Sequence, residues 1–96
     1  MSSVRITAIP PGFAPERIRK QWVGVELPLA SKKEIAQNPP SGFGIGSDNT
    51  SGYLVLRDNA IEALRQAGKK EAADFWGSLR YGRFLQFKKE VCEMVV

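Results

Sequence analysis

Apolar and polar side chains alternate from Val4 to Ile9, with Val4, Ile6 and Ala8 set against Arg5 and Thr7. A period of two marks a half-buried strand, and Pro10-Pro11-Gly12 ends it. The following residues, Phe13 to Gln21, read as a connection. Pro15 stands where a short helical turn can begin, and Phe13 and Ile18 are the side chains expected to pin it to the core. Alternation returns from Gln21: Val23, Val25, Leu27 and Leu29 face one way, Trp22, Gly24 and Glu26 the other. This predicts a second strand. Pro28 has no amide donor, so its end belongs at a sheet edge or in a turn.

Between Ser31 and Gly52 the periodicity stops, and Pro39, Pro40, Gly42, Gly44, Gly46 and Gly52 accumulate instead. The stretch reads as a loop over residues 31–52. A loop of that length inside a small domain is usually functional or disordered, which makes Phe43 and Ile45 candidate contact residues. Tyr53 to Leu56 restores a strand. Asp58 or Asn59 then caps a helix, and with Asn59 as cap Glu62 takes the capping-box position. Ile61, Leu64, Gly68, Ala72, Phe75 and Leu79 recur at intervals of three and four, giving one apolar helical face from Ala60 to Leu79. Gly68 either closes a first helix in the left-handed conformation, with Lys70 starting a second, or is carried through one long helix. Tyr81-Gly82 turns the chain, and Arg83–Phe87 and Val91–Val95 read as a hairpin joined by Lys88-Lys89-Glu90.

The order strand, strand, loop, strand, helix, strand, strand predicts an α+β fold in one domain spanning residues 1–96. Its sheet is small, antiparallel and strongly bent, or a partly open barrel for which an SH3-like barrel with a helical insertion is the nearest named architecture. Composition fits a folded chain: 43% of residues are apolar and 25% charged. No apolar run approaches the roughly 20 residues of a membrane span. The first residues lack a basic segment followed by an apolar one, so a cytoplasmic location is expected by default.

The chain has no histidine and a single cysteine, Cys92. Zinc, copper and non-haem iron sites draw on those residues, so no metal site is expected. Cys92 lies in an apolar run and reads as a core or near-core thiol. Gly42-Phe43-Gly44-Ile45-Gly46 resembles a phosphate loop only superficially. Ser47 stands where a dinucleotide fingerprint needs glycine, and a strand rather than a helix follows, so no cofactor is expected. Without histidine, catalysis would need carboxylates, lysine, tyrosine or the lone cysteine; Glu26 and Glu93 are two carboxylates that could meet across a sheet, although chance charge pairing or simple solvation explains both more cheaply.

What remains is binding. The net charge of +4 is scattered in pairs such as Arg19/Lys20, Lys69/Lys70 and Lys88/Lys89. Trp22 and Phe84 fall on the faces opposite their strands' apolar rows, and Trp76 adjoins Phe75 on the helix. With Phe43, Ile45 and Tyr53, these residues compose the predicted binding surface. The expected partner is another protein or a second copy of the chain. The alternative is a nucleic-acid-binding module that stacks bases on exposed aromatics beside Arg5, Arg57, Arg83 and Lys88.

Overall fold

The computed structural model describes residues 2–37, 52–79 and 83–95. Most of the expected central loop, including Phe43 and Ile45, lies outside these residues, as does Tyr81-Gly82. Over the described residues the chain is a small α+β domain in which four helices accompany two antiparallel sheets. In the first sheet β1 (Ser3–Ile6) is central, flanked by β2 (Glu26–Pro28) and β5 (Cys92–Val95). The second pairs β3 (Gly52–Leu56) with β4 (Phe84–Lys88). Neither closes into a barrel, so the SH3-like arrangement is not what the described strands form.

Val4 and Ile6 are buried and Arg5 is exposed, as alternation requires. Pro15 precedes α1 (Glu16–Arg19), its carbonyl accepting from the amides of Ile18 and Arg19. Ile18 is buried, but Phe13 is not: the bend at 12–14 turns Ala14 inward and leaves Phe13 63% exposed. The strand expected from Gln21 starts only at Glu26. Here α1 runs into a 3₁₀ turn over Lys20–Trp22, and Gly24 at φ +88° reverses the chain. The Gly24 amide then donates to the Ile6 carbonyl and the Ile6 amide to the Val25 carbonyl. Alternation across Trp22–Val25 therefore records a turn, and it delivers Trp22 to the core at 1% exposure.

A helix occupies the first part of the expected loop. In α2 (Lys32–Gln37) the Ser31 hydroxyl accepts from the Glu34 amide, and the Glu34 carboxylate accepts from the Ser31 amide. This reciprocal pair is the capping box of a Ser-x-x-Glu sequence. The box expected at Asn59 does not form, because α3 (Arg57–Gln66) begins directly after β3. The Arg57 amide donates to the Arg83 carbonyl at 2.7 Å, so the sheet takes up a first-turn donor.

Gly68, at φ +79°, ends α3 and allows α4 (Lys70–Ser78) to begin. Its amide bonds the Arg65 carbonyl, and the Lys69 amide bonds the Leu64 carbonyl. These are the two bonds of a Schellman motif.

The expected final hairpin is absent. A 3₁₀ turn over Lys89–Val91 leads the chain from one sheet to the other, held by the Thr7 amide on the Val91 carbonyl at 2.7 Å. As a result β4 pairs with β3, and β5 pairs with β1. The β3–β4 ribbon is covered on both faces. Val55, Leu85 and Phe87 enter the main core, while Leu54 and Phe84 are buried on the other side. Phe84, expected at the surface, is 1% exposed. Two-sided burial removes the alternation that would mark a surface position.

Candidate functional site

Three segments bring their aromatic rings together. The 3₁₀ turn supplies Trp22, α4 supplies Phe75 and Trp76, and the bend after Pro10-Pro11-Gly12 supplies Phe13. Trp22 lies 5.0 Å from Phe87 and 6.0 Å from Trp76, ring centre to ring centre. Trp76 in turn lies 5.9 Å from Phe13, edge to face, and 5.5 Å from Phe75. Among the described residues the rings thus run from the buried Trp22 through the half-buried Trp76 and Phe75 to the exposed Phe13. Tilted and edge-to-face contacts of this kind add about 0.5–1.5 kcal/mol per pair beyond area burial.

Beside this row is a cleft of about 80 Å³, lined by Pro10, Pro11, Gly12, Trp22, Trp76 and Phe87 together with Arg19, Leu85 and Gln86. Small-molecule sites usually enclose roughly 300–1,000 Å³. The cleft therefore admits the tip of a side chain rather than a metabolite.

Both walls are anchored by arginines. Arg19 donates from Nε to the Ala14 carbonyl at 2.8 Å and from its terminal nitrogen to the Pro10 carbonyl at 3.2 Å. Arg57 donates to the carbonyls of Trp76, Gly77 and Leu79 at the end of α4. A third tie joins α1 to α4. Arg17 pairs with Glu71 at 2.7 Å, and the Gln21 amide donates to Glu71 while accepting from the Ala72 amide. The hydrogen bond from Arg17, then that from Gln21, holds the Glu71 carboxyl below its ordinary value.

Of the four predicted contact residues that are described, Trp22, Tyr53, Trp76 and Phe84, the fold brings two to this cleft, Trp76 as a half-buried wall and Trp22 as its floor. Trp22 and Phe84 are core residues, a correction to their predicted exposure. Tyr53 is half-buried elsewhere, beside a shallow recess with Leu29, Ala30, Ile35 and Leu54. The Lys89 ammonium sits 5.9 Å from the centre of its ring. Glu26 and Glu93 do not meet. Each is registered opposite Arg5 from a different side, so two strand spacings, about 9–10 Å, separate their backbones. Glu93 pairs with Arg5 at 2.8 Å, and Glu26 accepts from the Ser3 hydroxyl. Burial pushes the half-buried Cys92 thiol up to about 11, so it is not a nucleophile poised for neutral pH. Among the described residues no three Cys, Asp or Glu side chains cluster as metal ligands would.

Sequence reasoning missed Phe13 and the Pro10–Gly12 wall. The signal was there: an aromatic directly after Pro-Pro-Gly, where the chain turns sharply and a side chain is readily left outside. Comparison with protein families, with curated proteins and with solved structures found no match for this chain, so its function is argued from this geometry alone.

Proposed function

We propose that this chain is a protein-binding domain that docks its partner on the aromatic cleft, with Phe13 as the protruding anchor. The observation that carries this reading is the 63% exposure of Phe13 beside the half-buried rings of Phe75 and Trp76. Isolated exposed apolar residues are ordinary. Phe13 differs in standing on a wall of Phe75 and Trp76, beside exposed Pro11 and with Ile9 38% exposed nearby. Burying such a ring on association gains about 1.5–3 kcal/mol. Aromatic anchors beside a preformed recess are the usual composition of an interaction hot spot.

The alternative nucleic-acid reading draws less support. Arg5 and Arg17 are taken by carboxylates, and Arg57 is taken by the end of α4. Panning a random-peptide phage library on the folded chain tests the proposal. Enriched peptides should bind the native chain and lose binding to Phe13→Ser, whereas enrichment indifferent to that substitution, or no enrichment, overturns the reading. If the partner is a second copy, sedimentation should show association that rises with concentration and is lost in Phe13→Ser.

A further inference from the structure

The cleft carries one charge that the described part of the chain leaves unbalanced. Arg19 is the sole charged residue among the described ones that line it, set beside Pro10, Pro11, Trp22 and Trp76. It is half-buried, and its guanidinium is only partly used. Nε donates to the Ala14 carbonyl at 2.8 Å and Nη1 to the Pro10 carbonyl at 3.2 Å, which ties both ends of the bend carrying Phe13 to α1. Nη2 makes no hydrogen bond among the described residues and is not buried.

No carboxylate of the described residues lies within ion-pair distance of Arg19. Glu16, one turn earlier on α1, does not pair with it, because the guanidinium is drawn over the bend towards the two carbonyls. Glu71 is taken by Arg17. A half-buried cation beside aromatic rings attracts an anion more strongly than one in open water, and the planar guanidinium fork matches a carboxylate.

The surroundings decide which carboxylate. A chain-terminal one is ordinarily captured by a nest of backbone N–H groups, whereas the wall beside Arg19 opens with two prolines that have none. A side-chain carboxylate needs only the guanidinium. The recess of about 80 Å³ takes one side-chain tip, and its rings and prolines make that tip apolar.

A second copy of the chain does not present this combination on its described surface. Of the exposed large apolar residues Ile9, Phe13, Val23 and Met94, only Met94 has an acid next to it in sequence. That acid, Glu93, pairs with Arg5 at 2.8 Å, and alternation along β5 sets it on the opposite face from Met94.

We infer that the cleft recognises an apolar side chain with an aspartate or glutamate within two residues of it in a partner protein, and that Arg19 selects the acid. The inference rests on the reading of the cleft as a protein-docking surface and names what the partner presents there. The apolar tip enters between Trp22, Trp76 and Pro11, and Nη2 of Arg19 donates to the carboxylate. The same guanidinium holds the bend that positions Phe13. A single ion pair leaves the apolar contact, and with it most of the binding, in place as salt rises.

The test uses peptides selected by phage panning on the full native chain. They should share an aspartate or glutamate within two residues of an apolar side chain. Each is then synthesised in that acid form and with the acid replaced by its amide. In calorimetry the native chain should bind the acid form about tenfold more tightly, on the scale of a charge-assisted hydrogen bond, and only that form should move the Arg19 Nε–H signal in NMR. Arg19→Gln should bring the ratio of the two affinities to about one. A role confined to holding the bend would weaken both forms alike and leave that ratio unchanged. Arg19→Lys, which keeps a charge without the fork, should retain part of the preference.

Selected peptides without such an acid, or acid and amide forms bound alike by the native chain, overturn the inference, and the cleft stands if those peptides still need Phe13. A preference that survives Arg19→Gln overturns the role of Arg19. Should that variant not fold, the affinity ratio and the Arg19 signal of the native chain decide. Failure to select any peptide overturns the inference together with the reading beneath it.

Discussion

The guanidinium of Arg57 donates to the backbone carbonyl of Trp76 at 2.7 Å, tying the first turn of α3 to the last turn of α4. It also reaches the carbonyls of Gly77 and Leu79, and its side chain is 17% exposed. A cation among the unpaired carbonyls of a helix end satisfies acceptors and complements the helix dipole at once. Arg57→Ala should therefore destabilise the fold by about 2–3 kcal/mol in urea unfolding, on the scale of charge-assisted bonds to buried groups. Arg57→Lys keeps the charge but loses the planar fork, and should recover only part of the loss.

Glycine substitutions should rank by their surroundings. Gly68 and Gly24 have φ of +79° and +88°, and a Cβ at either would meet nothing within 4 Å. Only the left-handed backbone is penalised there, so Gly68→Ala and Gly24→Ala should each cost about 1 kcal/mol. A Cβ on Gly52 would fall 2.7 Å from the Phe87 carbonyl oxygen. Gly52→Ala should cost more than either, about 1–3 kcal/mol, because β4 must move to admit it. Thermal unfolding of the three variants gives the ranking.

Acid should loosen α1 from α4. The Arg17 and Gln21 hydrogen bonds keep the Glu71 carboxyl below its ordinary 4.5 in the folded chain. A depressed carboxyl favours the folded state above the unfolded value, and that contribution is lost as pH falls below 4.5 through the folded value. Because Glu71 lies at the surface, the effect is small and weakened by salt. In a pH titration by NMR, the Gln21 and Ala72 signals should follow the Glu71 carboxyl, and Glu71→Gln should abolish that coupled transition.

Legibility in the sequence followed how local the cause was. Gly68 announced a helix end because left-handed backbone is a local demand, and Val4 and Ile6 marked β1 because one face of it is core. Trp22 misled for a tertiary reason: alternating residues from Gln21 fit a strand equally well until Gly24 turns and pairs with Ile6. The partner choice of β4 was hidden similarly, since Lys88-Lys89-Glu90 fits a hairpin loop as well as a crossing between sheets. Phe84 was misplaced because a ribbon buried on both sides shows no polar face. Within the site, Trp76 was visible as an aromatic beside Phe75 on one helix. Its alignment with Phe13 depends on how α4 packs against the loop before α1, which no spacing along the chain encodes.

The most direct test of the cleft as a protein-docking surface uses the chain's two tryptophans as reporters. The isotope-labelled chain would be titrated with a library-selected peptide and, separately, with mixed-sequence single-stranded DNA, at low and moderate salt. The account predicts that the peptide moves the Trp76 indole N–H and the amides of Gly12 and Phe13, that salt leaves this response in place, and that Phe13→Ser removes it. A peptide that leaves those signals still would contradict the account. So would DNA shifting Tyr53, Lys88 and Lys89 in a way that fades as salt rises, because that is how a phosphate-binding surface behaves.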